Sequence, residues 1–194
     1  MSPGAPNPRG LVALMELLRT HAGRELAPHE AAMTAATIEF VEQHPDCLWR
    51  SQLRGHLTGS AWVVDAARRR TLLTHHRKLD KWLQLGGHAD GDPDLPAVAL
   101  REAAEESGLT RLRLVDRAIF DLDRHWIPAR KDVPAHWHFD LRFMIEADPD
   151  EPLTVTDESH DLAWVELERV SALNPEESML RMVRKTPADH AGMS

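Results

Sequence analysis

Between Gly86 and Leu109 the chain reads GGHADGDPDLPAVALREAAEESGL, a glycine pair followed by a segment that carries Arg101, Glu102, Glu105 and Glu106. At about 100° per residue, Glu102 and Glu106 stand one turn apart and share a stripe with Leu95, Val98, Ala99 and Ala103. The spacing predicts a helix whose acids turn inward. Carboxylates on a packed face repel one another and lose hydration, so protons, arginines or a divalent cation must compensate. Oxygen ligands at helical spacing suit Mg²⁺ or Mn²⁺, hard ions that keep several waters and take further ligands from substrate phosphate. For an arbitrary EAAEE run a solvated charged face would be the better reading; the glycines and arginine at fixed offsets reverse that preference.

Other residues could meet an anionic substrate. His88 follows the glycine pair directly, and His75-His76-Arg77-Lys78 precedes it, so His76 and Arg77 could bring positive charge to a diphosphate, with a charged strand end in water as the alternative. The run His136 to Ile145 alternates: Trp137, Phe139, Leu141, Phe143 and Ile145 fall on one face, His136, His138, Asp140, Arg142 and Met144 on the other. The polar face is expected to meet solvent or line a cleft, with His138 and Arg142 contacting phosphate or base. His136 and His138 point two imidazoles to one side, but no Cys/His spacing supplies four convergent zinc ligands. Trp126 could stack on a base, whereas alternation makes Trp137 a core residue.

Gly87, Arg101-Glu102, Glu105-Glu106 and Gly108-Leu109 sit at the spacing of the Nudix box, and the chain resembles the Nudix family over roughly residues 50 to 190. It departs at one box position, where Pro93, flanked by Asp92 and Asp94, replaces the first glutamate; either aspartate is a candidate substitute in its support of the box arginine. The resemblance implies that Glu102, Glu105 and Glu106 hold Mg²⁺ or Mn²⁺, that the Gly86 carbonyl supplies a further oxygen, and that Arg101 orients a carboxylate. It also implies a small-molecule substrate, a nucleoside diphosphate derivative whose diphosphate linkage is cleaved by water. For the base, the resemblance favours Glu158, six residues before Trp164, with Glu105 and Glu146 as alternatives. A binding or sensing module that does not turn its ligand over is the competing function. Isomerisation of a small diphosphate would call for a reactive cysteine beside the site, whereas Cys47 precedes the strands.

The elements that must position these residues are legible as patterns. Leu11 to Thr20 and Pro28 to Gln43 read as amphipathic helices. They are expected to cover one edge of the fold, with a dimer contact or substrate lid as the alternative role. His56–Asp65 and Thr71–His76 read as a hairpin, Trp82–Leu85 as a short strand, Leu112–Asp123 as an extended segment before a Trp126-Ile127-Pro128 loop, and 162–165 as a last strand before a helix at 175–185. The box helix should start near Asp94, whose carboxylate can cap free amides, and end at Gly108. The pattern predicts an α/β fold with a mixed sheet and helices on both faces. By resemblance this is the Nudix α/β/α sandwich preceded by two N-terminal helices. The expected domains are a tail and helical cap at 1–48 and a Nudix hydrolase domain at 49–194.

Composition bounds the rest. A chain of 194 residues with 42% apolar side chains can build a proper core. A net charge of −8 argues against a nucleic-acid partner, and no apolar run suggests a secretory signal or a membrane span. Cys47, the single cysteine, fits a reducing cytoplasm and reads as a small buried side chain.

Overall fold

The computed structural model describes residues 8–130, 133–157 and 159–187. Its elements run α1 (Pro8–Ala22), α2 (Pro28–Gln43), β1 (Gly55–Val64), β2 (Arg70–His76), β3 (Lys81–Leu83), β4 (Leu85–His88), α3 (Leu95–Ser107), β5 (Arg113–Leu114), β6 (Asp121–Ile127), β7 (His136–Glu146), β8 (Ser159–Glu166), α4 (Val170–Leu173) and α5 (Glu177–Lys185). The strands pair in the order β3-β2-β1-β7-β5, with β4 on β1, β6 on β7 and β8 on β2, so the α/β class with a mixed sheet holds. Among the described residues no helix is long and apolar enough to cross a membrane.

The chain divides into two compact units. One takes the chain up to Gly59 together with Gly87–Val98 and Arg117–Phe143. In it α2 packs on α1 and on β6. Leu14, Leu18, Phe40, Val41 and Leu48 are buried alongside Leu57, Leu122, Phe139 and Leu141, and the Phe40 ring stacks on Phe139 at 4.2 Å. The buried pair His21 Nε2 and Glu30 Oε1, 3.0 Å apart, ties α1 to α2. Residues 8–48 thus share a core with β6 and with Phe139 and Leu141 of β7.

The same unit buries the polar face of β7 instead of opening it to solvent or a cleft. Arg142 donates to Asp140 Oδ2 at 2.8 Å and Asp121 Oδ2 at 3.1 Å and lies 3.6 Å from Asp123 Oδ2, while Thr58 Oγ1 donates to Asp140 Oδ1 at 2.8 Å. Its side chain is 3% exposed. Burial works against the guanidinium charge, but the three carboxylates outweigh it and hold its pKa above the ordinary value. Arg142 is therefore held in an internal ion-pair network with Asp121, Asp123 and Asp140. Trp137 is not a core residue: it is half-buried, with Arg124 stacked over its ring at 4.4 Å and the half-exposed Trp126 edge-on at 5.0 Å.

The other unit takes Ser60–Gly86, Ala99–Asp116 and the chain from Met144 onward. Here β2 pairs antiparallel with the end of β1, with β3 and with β8. The expected hairpin is closed by Asp65, whose Oδ1 accepts the amides of Arg69 at 2.8 Å and Arg70 at 2.9 Å. The extended segment expected over Leu112–Asp123 is not one strand: it contains the two-residue β5, which pairs with the end of β7, and the first residues of β6. In the first unit, Trp126 and Ile127 lie in β6 instead of a loop.

Candidate active site

The acid-bearing helix is α3, and the sequence explains both of its ends. Asp94 Oδ1 accepts the Ala97 amide at 3.2 Å, the expected cap, and Pro96 sits in the first turn, where no donor is needed. The helix stops before Gly108, whose φ of +74° is a left-handed conformation that suits glycine.

In the second unit the helix meets the glycine bend. The Gly86 amide donates to Glu106 Oε2 at 3.0 Å. Gly86 has φ +149°, and a Cβ there would come within 2.6 Å of Ser60 Cα, so only glycine lets the bend lie against β1. Arg101 donates to Glu102 Oε1 at 2.9 Å, and its Nε lies 4.0 Å from Glu105 Oε1. Glu102 and Glu106 are half-buried, as the stripe predicts, whereas the Glu105 side chain is 64% exposed. Arg101 therefore gathers two carboxylates while Glu106 is anchored on the bend. A donor set made wholly of oxygens, from three carboxylates and a neighbouring backbone turn, fits a hard divalent cation.

Other expected site residues fall as follows. Arg77 is exposed and donates to the Ser159 carbonyl at the start of β8 at 2.9 Å, whereas His76 Nδ1 accepts the Leu79 amide at 3.3 Å in a local turn of the second unit. Glu158 lies outside the described residues. Glu146 is paired with Arg113 at 2.7 Å and Arg68 at 3.1 Å, which argues against it as a base. In the first unit Asp92 Oδ1 accepts the Asp94 amide at 2.9 Å, while Asp94 is also bound by Arg117 at 2.6 Å; the Pro93 loop is thus braced by its own aspartates. Cys47 is buried, and desolvation together with Asp46 pushes its thiol up to about 12, consistent with an inert side chain.

The first unit also collects histidines. His56 at the start of β1 has its ring centroid 4.8 Å from those of His136 and His138 and 5.0 Å from that of His88; His138 in turn lies 5.0 Å from His88 and 5.3 Å from His125. Burial lowers His56 to about 4, reinforced by His88 and His136 against a raising contribution from the Gln52 backbone. Burial likewise lowers His88 to about 4, with Arg50 adding to the shift and Asp90 opposing it. His138, desolvated and facing His125, His56, His88 and His136, falls to about 2. The alternation of β7 brought His136 and His138 together in sequence; His56 and His125 joined them only through strand pairing, for which no local signal exists.

The sequence model of the NUDIX domain matches residues 56–185. No curated protein matches the chain by sequence. Among solved structures, the chain is similar to the C. elegans Ap4A hydrolase in a binary complex, at 19% identity and a TM-score of 0.56 over 71% of this chain and 98% of that one. It is similar to the MutT protein from Methanosarcina mazei Go1, at 17% identity and a TM-score of 0.55 over 70% and 94%. It is also similar to the E. coli dihydroneopterin triphosphate pyrophosphohydrolase, at 17% identity and a TM-score of 0.51 over 66% and 92%. With the family match covering most of its length and the glycine bend hydrogen-bonded to the acid helix, the chain belongs to the Nudix family and has the fold of Nudix pyrophosphohydrolases.

Proposed function

We propose that the protein hydrolyses the diphosphate linkage of a nucleoside diphosphate derivative by attack of water at phosphorus. The observation that carries this reading is the hydrogen bond from the Gly86 amide to Glu106, which couples the glycine bend to the acid helix. Glu102, Glu105, Glu106 and the Gly86 carbonyl would hold Mg²⁺ or Mn²⁺, which when bound neutralises diphosphate charge and favours the leaving phosphate. Arg101 keeps Glu102 and Glu105 oriented, and the half-buried position of Glu102 lowers the dielectric in which that contact acts. A carboxylate must take the proton of the attacking water as the P–O anhydride bond breaks. Glu105, the most exposed of the three helix acids, is open to water; Glu158 is the other candidate base.

The names of the structural neighbours support a phosphoanhydride substrate and leave its second moiety open. The test is a panel of ADP-ribose, sugar nucleotides, dinucleoside polyphosphates, oxidised nucleoside triphosphates and coenzyme A with Mg²⁺ or Mn²⁺, with products identified by mass. Cleavage of one class at the diphosphate is expected. Binding without product under every condition would overturn hydrolysis in favour of a sensor.

A further inference from the structure

We propose that His56, His136 and His138 form a site for a late first-row divalent metal, with Zn²⁺ the chemically preferred occupant, distinct in donor type from the carboxylates of α3. The three side chains each present a ring nitrogen, and these atoms all lie within 4.8 Å of one another. Among the described residues no other group of three or more histidine, cysteine or acidic side chains meets this condition.

Three features mark the cluster as a site. His136 Nε2 and His138 Nε2 face each other at 3.2 Å. Two imidazoles on one tetrahedral zinc, with Zn–N of about 2.0–2.1 Å, place their nitrogens about 3.3 Å apart, so this pair is already spaced as one edge of such a tetrahedron. His136 Nδ1 lies 2.8 Å from the Pro134 carbonyl, which fixes its proton on that nitrogen and directs the Nε2 lone pair towards His138. His56 is 3% exposed, and neither of its ring nitrogens has a hydrogen-bond partner of acceptable geometry. A buried imidazole with two unsatisfied nitrogens loses hydration without return unless something else binds it.

The chemistry selects the occupant. Imidazole nitrogen prefers Zn²⁺, Cu²⁺ or Ni²⁺ to the hard Mg²⁺, and no thiolate is available to favour softer ions. The strands supply the register: His136 and His138 share one face of β7, while His56 is the second residue of β1. His88 packs against both His56 and His138 and closes one side of the group.

The full chain, stripped with a chelator, would be titrated with Zn²⁺ against a chromophoric competitor and with Co²⁺ by visible absorption. One equivalent with a nitrogen-rich Co²⁺ spectrum is expected, retained in a Glu102→Gln/Glu106→Gln variant. Affinity should fall at least tenfold in His136→Gln and His138→Gln variants whose circular dichroism matches the parent. No binding, or binding lost in the glutamate variant but kept in the histidine variants, would overturn the proposal. Should a histidine variant fail to fold, the ¹⁵N imidazole resonances of the parent decide: Zn²⁺ must move those of His56, His136 and His138, and unmoved resonances would overturn the site.

Discussion

At the residue scale, Glu106 is the side chain on which the acid helix and the glycine bend depend together. Replacing it with Gln keeps the size and an acceptor for the Gly86 amide while removing a negative charge. Hydrolysis at saturating Mg²⁺ should fall by about 10²–10³, the usual effect of losing one well-placed electrostatic contact, with the circular dichroism unchanged. Phosphate release and far-ultraviolet spectra check the two halves of that statement. Asp65 does a purely structural job of the same kind. Burial alone would raise its pKa, but the Arg70 and Arg69 amides and the Arg70 side chain outweigh it and hold the carboxyl below its ordinary value of 3.8. A carboxyl with a depressed folded-state pKa stabilises fully above its unfolded value and loses that contribution as pH falls through the folded one. Urea denaturation should therefore show Asp65→Asn less stable than the parent at pH 7, by about 1–3 kcal/mol, with the gap closing as the pH is taken below 3.8.

At the scale of elements, boundaries that depend on local chemistry were legible and those that depend on pairing were not. Asp94, Pro96 and Gly108 mark α3 because capping, a donor-free first turn and a left-handed stop each act within a few residues. The stretch after Leu112 carries enough β-forming side chains to read as one strand, yet only Arg113–Leu114 and Asp121–Ile127 find a partner ladder on β7. The glycine bend belongs to this scale as well. Gly86→Ala would drive a methyl against the Ser60 backbone, and relieving that overlap should cost about 1–3 kcal/mol. The measurement is the urea midpoint together with divalent-ion dependence of activity. A variant as stable and as active as the parent would show that the bend tolerates a side chain.

At the scale of the whole molecule, the two N-terminal helices pack against one another and α2 lies on β6. Leu14, Leu18, Phe40, Val41 and Leu48 are at most 9% exposed, and α2 packs on β6, so these residues belong to a shared core. A fragment starting at residue 49 should be insoluble or unfolded; a soluble fragment with cooperative unfolding would restore the picture of a removable cap. The Arg142 network makes a second global claim. Removing one partner from a buried charge cluster leaves the others uncompensated, so Arg142→Ala should destabilise the protein by about 3–5 kcal/mol. Thermal unfolding checks it, and a loss within error would mean that water reaches the three aspartates.

The sequence by itself determined the acid helix, its caps, the glycine bend and the family, because each is written in residue types at fixed offsets along a helix or turn whose geometry is local. It also placed His136, His138 and Arg142 on one face of a strand, since side chains in a strand alternate whatever the strand pairs with. Only the tertiary structure decided what that face would meet. The aspartates of β6 lie beside β7 through a cross-strand register, and His56 arrives from β1, so Arg142 became an internal ion and the histidines became a cluster. Contacts of that kind arise between residues tens of positions apart in the chain, where no periodicity reaches.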